Sequence, residues 1–169
     1  MKKVRPKTLK WLKGLHIFFS SAWIGAVLSM LAIVFLRPDS TVSGELYAFH
    51  ATMKLIDDAV IIAAALGCFI SGALLSWMTP WGFFRYYWLA VKFFVTIALI
   101  LSGTIWLGPW VNTMTTITRE QGLLALQNDQ YLFYRQMHTI FGTLQACLVI
   151  AMAFLSTLKP WGKRAGAMS

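Results

Sequence analysis

The chain has 169 residues, of which 58% are hydrophobic and 12% are charged, and its formal net charge is +9. Soluble domains carry about 25% charged residues, so this composition indicates a chain that folds in a lipid bilayer and excludes an ordinary soluble protein. A role in binding nucleic acid is excluded too, because the basic residues gather in short segments beside apolar runs, a pattern typical of membrane topology.

The first apolar run imitates a secretory signal because it follows a basic segment, but it continues to Leu36. It is too long for the core of a signal peptide, and we interpret it as a retained first helix. The two cysteines, Cys68 and Cys147, also fall inside apolar runs. They form neither a disulfide framework nor a CxxC motif, so we interpret both as small packing residues.

Four apolar stretches are long enough to cross a bilayer, which takes about 20 helical residues. Segments with proline, glycine and tryptophan separate them, as is typical of helix ends at the membrane interface. The sequence therefore predicts an all-α polytopic membrane protein, a single domain over residues 1–169 that forms an antiparallel bundle of four transmembrane helices. We expect the helices at about 11–36, 44–78 with a membrane part at 59–78, 86–108 and 131–158, and an external loop at about 109–130 with room for one short helix.

Charge separates the two sides of the predicted bundle. All six acids fall on one side: Asp39, Glu45, Asp57, Asp58, Glu120 and Asp129. The other side carries ten basic residues and no acid: Lys2, Lys3, Arg5, Lys7, Lys10, Lys13, Arg85, Lys159, Lys163 and Arg164. Because lysine and arginine are enriched in cytoplasmic segments, we predict a bacterial cytoplasmic membrane protein with both termini in the cytoplasm. A cysteine introduced at Ser43, but not one at Ser169, should then react with an impermeant thiol reagent in intact cells.

Two polar residues, His16 and Lys92, are predicted at matching depth in the membrane, near its basic side. Polar groups are costly in lipid, so residues kept there point to function. A neutral imidazole can ligate haem iron, while Lys92 can pair with a haem propionate, coordinate the iron or steady an anionic substrate. Two alternatives stay open: an interfacial His16 bonded to a backbone carbonyl, and a Lys92 that extends to the lipid headgroups.

Helical periodicity places His16, Ser20 and Trp23 on one face of the first helix. The roughly opposite face has a small residue at every fourth position: Ser21, Gly25 and Ser29. The second helix has a similar stripe: Ala64, Cys68, Gly72 and Ser76. Because small residues let helix backbones approach closely, we expect the stripes to pack and the His16 face to remain for a ligand or another helix.

Charged residues are also predicted to meet at the acidic side of the bundle. Asp57 or Asp58 is placed to pair with Arg135, and Lys54 lies four residues before Asp58 on the same helix. Oppositely charged side chains at this spacing are neighbours on a helix surface. We expect an ion-pair cap that locks the second helix to the fourth.

A further polar face belongs to the fourth helix, where His138 and Gln145 are expected to point into the bundle. Gln145 lies near mid-bilayer and is predicted to form a hydrogen bond between helices. His138 and His50 lie in the same half of the protein as four methionines: Met30, Met53, Met114 and Met137. Imidazole and thioether ligands suit copper, so copper bound at His138 is the alternative to haem.

Two segments resemble a known group of membrane proteins. LKGLHI at 12–17 followed by SAWIG at 21–25 is similar to the first helix of small bacterial proteins related to the copper-resistance D type and to HemJ-type protoporphyrinogen oxidases. WLAVK at 88–92 resembles the third-helix motif of the oxidases. This resemblance implies a haem b or porphyrin site that uses His16 and Lys92.

A second resemblance covers most of the chain. It is to uncharacterised four-helix membrane proteins of Gram-positive bacteria, and it implies the same fold without an activity. The segments that carry it are KLIDD at 54–58, WGFF at 81–84, LGPW at 107–110 and KPWGK at 159–163.

The leading hypothesis is a haem b- or porphyrin-binding membrane protein with a redox or haem-handling role. His16 is its predicted iron ligand and Lys92 a ligand or propionate partner, and Ser20 and Trp23 line the site. A haem-dependent oxidoreductase working with a membrane redox partner is one form of this hypothesis. The alternative is a structural or accessory protein, or a carrier of copper or a small solute without haem; either protein is expected to lie in the lipid bilayer, with a homo-oligomer left open.

Overall fold

The computed structural model describes residues 5–36, 42–159 and 161. Six α-helices account for most of them: α1 (Pro6–Leu36), α2 (Ser43–Ile56), α3 (Ile62–Met78), α4 (Tyr87–Ser102), α5 (Gly108–Gln121) and α6 (Asp129–Leu158). A π-helical turn, Asp57–Ile61, joins α2 to α3 without a break, and a second, Gly103–Leu107, joins α4 to α5. A 3₁₀-helix, Gly122–Gln127, leads from α5 to α6.

These elements form four continuous helices that are long and apolar enough to cross a membrane. They are Pro6–Leu36, Gly44–Met78, Tyr87–Gln127 and Asp129–Leu158, with mean hydropathy between 1.9 and 2.3 in their most apolar windows. At 1.5 Å per residue, each exceeds the roughly 30 Å of a bilayer core. The all-α four-helix prediction is confirmed, and the protein is a multi-pass integral membrane protein.

The four helices run antiparallel to their neighbours. His16 near the start of α1 contacts Cys68 in the second half of the next long helix, and Lys92 near the start of α4 contacts Ser156 near the end of α6. The end of the bundle where α1 begins and α6 ends is here called the basic end. The other end, where α1 ends and α6 begins, is called the acidic end.

Among the described residues, the charges separate between these ends as predicted. The basic end has Arg5, Lys7, Lys10, Lys13, Arg85 and Lys159, and the acidic end has Glu45, Asp57, Asp58, Glu120 and Asp129. The remaining residues of the predicted pattern, Lys2, Lys3, Asp39, Lys163 and Arg164, lie outside the described residues. The side of the membrane that the basic end faces stays a prediction.

The predicted external loop at 109–130 is corrected by the structure, because α5 occupies residues up to Gln121. Pro109 was expected to end the third helix, since proline lacks an N–H donor and its ring clashes with the preceding turn. The π-helical turn Gly103–Leu107 comes directly before it and widens the helix, which accommodates the ring. The third helix therefore continues past the proline toward the acidic end.

The prediction that both small-residue stripes pack is confirmed for α3 and is wrong for α1. On α3, Ala64 and Ser76 are buried, and a Cβ atom added at Gly72 would lie 3.1 Å from Cε1 of His16. On α1, however, the small stripe is exposed, and a Cβ atom at Gly25 would meet no heavy atom within 4 Å. Large side chains on the other face of α1 fill the hollows that the small residues of α3 leave. The His16 face of α1, which was expected to remain for a ligand or another helix, thus packs against α3.

Candidate functional site

The imidazole of His16 lies against α3. Its Nδ1 is 3.1 Å from the carbonyl oxygen of Cys68 and 3.1 Å from Oγ of Ser71. A carbonyl oxygen only accepts hydrogen bonds, so Nδ1 carries the proton and Nε2 carries a lone pair. Nε2 has no hydrogen-bond partner among the residues that the structure describes. The hydrogen bond to a backbone carbonyl, which one of the two open alternatives included, is therefore present, and it fixes the ring.

Ser20 and Cys68 complete the contact between the two helices. Ser20 donates to the carbonyl oxygen of His16 at 2.7 Å, one turn earlier on α1, and its Oγ lies 3.2 Å from Sγ of Cys68. Cys68 is half-buried in this contact, as expected of a small packing residue, whereas Cys147 is exposed on α6. The prediction that Cys147 packs inside the bundle is wrong.

Lys92 is half-buried in α4 and donates from Nζ to Oγ of Ser156 on α6. Its ammonium interacts electrostatically with His16 and with Cys68. Lys92 therefore lies near enough to His16 to act on it electrostatically, although no hydrogen bond joins the two residues. Lys92 is therefore held within the bundle by its hydrogen bond to Ser156.

Trp23 lies two turns beyond His16 on the same face of α1 and is 2% exposed. Its indole N–H is buried and has no hydrogen-bond partner within the described part of the chain. A buried donor without an acceptor is costly, so such a group marks a position where a polar atom is missing. Of the four residues predicted to line a cofactor, Trp23 is the most deeply buried.

Two adjoining cavities lie toward the acidic end, away from His16. The larger, about 250 Å³, has four predicted metal-site residues in its wall, together with Arg135: His50, Met53, Met114 and His138. The smaller, about 60 Å³, is lined by Asp57, His138 and Gln145 among apolar residues. His138 and Thr139 belong to both walls, so these residues separate the two spaces.

The side chains that line these cavities differ in how they are held. Nε2 of His50 is 3.1 Å from the Tyr131 hydroxyl, and Gln145 accepts a hydrogen bond from Ser102 at 3.1 Å, which confirms its predicted role between helices. His138 is 6% exposed and has no hydrogen-bond partner among the described residues. It is the buried polar side chain that faces both cavities.

The four methionines of the copper hypothesis do not gather at one place. Met53 and Met114 are buried and line the larger cavity, Met30 lines the smaller one, and Met137 is half-buried and lines neither. The described residues contain no group of three or more His, Cys, Asp or Glu side chains that could hold a metal ion. A metal site here would therefore depend on thioether ligands.

The predicted ion-pair cap is present in a different form. Lys54 pairs with Asp58 at 2.7 Å and also donates to Asn112 on α5. Among the described residues, Arg135 forms no ion pair with Asp57 or Asp58. The cap therefore ties the second long helix to the third and not to the fourth. The reason is the continuation of the third helix through α5, which brings Asn112 beside Lys54.

Several residues that shape these sites were not predicted. Ser71 and Ser156 anchor His16 and Lys92, and Tyr131 holds His50. Serines at helical spacing inside apolar runs are a general sign of interhelical hydrogen bonds, and this sign was available for Ser71 and Ser156. The π-helical turns have no comparable sequence signal.

Comparison of the chain with protein-family models, with curated proteins and with solved structures finds no match.

Proposed function

We propose that this membrane protein binds haem b or a related porphyrin and has a redox or haem-handling role, with His16 as the axial ligand. The single observation that carries the proposal is the hydrogen bond from Nδ1 of His16 to the Cys68 carbonyl. Histidines that bind metals typically donate their other ring nitrogen to a carbonyl, which leaves Nε2 free for the metal and fixes the ring. A haem of this kind would supply one-electron chemistry.

Two further observations suit a porphyrin at this level. The Lys92 ammonium, which interacts electrostatically with His16, has the charge that pairs with a propionate. The buried indole N–H of Trp23, which has no acceptor among the described residues, is available to donate to a polar group of the ligand. Neither of the two cavities described above is lined by His16, so binding requires α1 to shift against a neighbouring helix when haem is supplied.

Absorption spectra of the protein test this proposal. We expect a Soret band, in oxidised and reduced samples, after expression with ample haem and purification in a mild detergent. His16→Ala should abolish the band, because it removes the iron ligand. Ser71→Ala, which loosens the ring, should weaken haem affinity by about 10-fold to 100-fold.

The matched control for the spectra is His138→Ala, which removes a buried histidine of α6 at the other end of the bundle. This variant should keep the band. A colourless wild-type preparation, or a band that survives His16→Ala, would contradict the proposal. A structural or accessory role without haem predicts the colourless result.

A second candidate function, copper handling, is favoured by one observation. His50, Met53, Met114 and His138 line one cavity toward the acidic end. Imidazole and thioether are soft or borderline ligands that suit Cu(I). A Cu(I) site would make the protein a copper carrier or sensor without haem.

Titration with Cu(I) against a chromogenic chelator tests the copper site. We expect one equivalent to bind, and Met114→Leu or His138→Ala to weaken binding by about 10-fold or more, as loss of a ligand does. Leucine conserves the volume of methionine, so the fold should be kept. Met137→Leu is the matched control, because Met137 lines neither cavity and should leave the affinity unchanged. Equal affinities of all variants would rule the site out.

A further inference from the structure

Asp57 presents a carboxylate to the smaller cavity, in the first π-helical turn. It is half-buried, and within the described residues it forms neither an ion pair nor a hydrogen bond. The adjacent Asp58 has Lys54 as its partner. Asp57 also reaches across to the third helix, because a Cβ atom added at Gly108 would lie 3.4 Å from its Oδ2. Lys54 and Asp58 act on Asp57 electrostatically without a direct contact. A half-buried carboxylate without a direct partner is stabilised by a cation.

Three of the other four polar side chains in the wall of this cavity offer acceptors; the fourth, Gln145, accepts from Ser102 and keeps its amide N–H groups as donors. The hydroxyls of Thr139 and Thr143 donate to carbonyls of their own helix at 2.8 and 2.7 Å, so their lone pairs remain available. His138 is more than nine-tenths buried, has no hydrogen-bond partner among the described residues, and as a neutral imidazole offers one acceptor nitrogen. A ligand that matches this wall carries N–H donors and a positive charge.

The rest of the wall sets the size and the apolar part of the ligand. Apolar side chains make up most of it: Val27, Met30, Leu31, Val34, Ile61 and Leu107. The volume of about 60 Å³ corresponds to roughly two water molecules at about 30 Å³ each. This space accommodates a nitrogen centre with one or two carbons. An alkali ion would use the oxygens of Asp57 and the threonines but not the nitrogen of His138.

We propose that the smaller cavity binds a small protonated amine, of the size of methylammonium or ethylammonium. The ammonium group pairs with the Asp57 carboxylate and donates to His138 and Thr139, and the alkyl group lies against the apolar walls. The larger cavity adjoins at Val34, His138 and Thr139 and lies toward the acidic end, and its wall contains Arg135 and no acid. This solute site is separate from the haem proposal and shares His138 with the copper proposal.

Ligand-dependent thermal stability of the full-length protein in detergent tests the amine site. Ethylammonium chloride should raise the melting temperature with a saturable dependence on concentration, because it binds the folded state. Potassium chloride and tetramethylammonium chloride at equal ionic strength should not, since the first lacks N–H donors and the second is a bulky cation without them. Asp57→Asn should weaken the apparent affinity by about 10-fold to 100-fold. Glu45→Gln, at an exposed acid of α2 that lines neither cavity, is the control and should leave it unchanged.

Several outcomes would overturn the proposal. Equal responses to all three salts would show an ionic-strength effect, and a saturable response that survives Asp57→Asn would place the amine elsewhere. If Asp57→Asn does not purify as a folded protein, Thr143→Leu decides, because Thr143 lines only the smaller cavity and leucine fills it. Retained ethylammonium binding in that variant would also reject the site. Met114→Leu, which alters only the larger cavity, should keep it.

Discussion

Replacing Tyr131 with alanine should lower the free energy of unfolding by about 3–5 kcal/mol, as large-to-small changes of buried aromatic residues do. Tyr131 is 0% exposed and packs in the cluster at the acidic end with Leu46 and Met114. Its ring meets His50 edge to face at 5.4 Å, and its hydroxyl lies 3.1 Å from Nε2 of His50. Alanine removes both contacts and leaves a cavity among α2, α5 and α6.

Denaturation in mixed micelles of detergent and sodium dodecyl sulfate measures this loss. Tyr131→Phe keeps the ring and should cost only about 1 kcal/mol, the net contribution of the hydrogen bond. Phe133→Ala, two residues further on the same helix, is the control, because Phe133 is 54% exposed and should change stability little. If Tyr131→Ala and Phe133→Ala behave alike, the acidic end has no cooperative core.

The second large effect is expected at Gly67, where α1 crosses α3. A Cβ atom added there would lie 2.5 Å from Cδ1 of Phe19, a distance that real contacts do not reach. Gly67→Leu should therefore push Phe19 out of its place and destabilise the protein by about 1–3 kcal/mol or more, as overpacking does. Because His16 belongs to the same contact between α1 and α3, any haem bound at His16 should also be lost.

A matched glycine isolates the steric cause. Gly25→Leu lies on the exposed face of α1, where an added Cβ meets nothing within 4 Å, so it should be neutral or slightly stabilising. Phe19→Ala combined with Gly67→Leu should recover part of the lost stability, because the alanine vacates the space that leucine needs. Simple additivity of the two changes would contradict a direct clash between Phe19 and residue 67.

The number and approximate bounds of the membrane helices could be predicted because lipid requires long apolar runs, and such runs can be read directly from the sequence. The matching levels of His16 and Lys92 in the bundle could be predicted too, since they follow from the distance of each residue along its helix. Which face of α1 packs could not be predicted. Both faces are apolar, and large residues that fill hollows on α3 compete with small residues that permit close approach.

The continuation of the third helix could not be predicted, because proline usually ends an α-helix. Pro109 obeys that rule in an α-helix, but the π-helical turn before it changes the local geometry, and no residue type specifies such a turn. The error spread to the ion pairs, because a loop at 109–130 left Lys54 without Asn112 as a neighbour. One misplaced helix end thus changed the expected partner of a charged residue more than 50 positions earlier in the chain.

The two π-helical turns have a consequence for what holds each half of the molecule together. A helix needs about 20 residues to cross the bilayer, so the apolar stretches of α3 and α4 span it and reach its surface near these turns. The helices α2 and α5 have 14 residues each and therefore extend roughly 20 Å beyond that surface. The cluster around Leu46, Val111 and Tyr131 is then sealed against water, and the hydrophobic effect stabilises it as in a soluble protein. The helices inside the lipid gain nothing from that effect and depend on fit and hydrogen bonds. The chain therefore contains two cores, one surrounded by lipid and one surrounded by water. Urea should unfold the core outside the bilayer first.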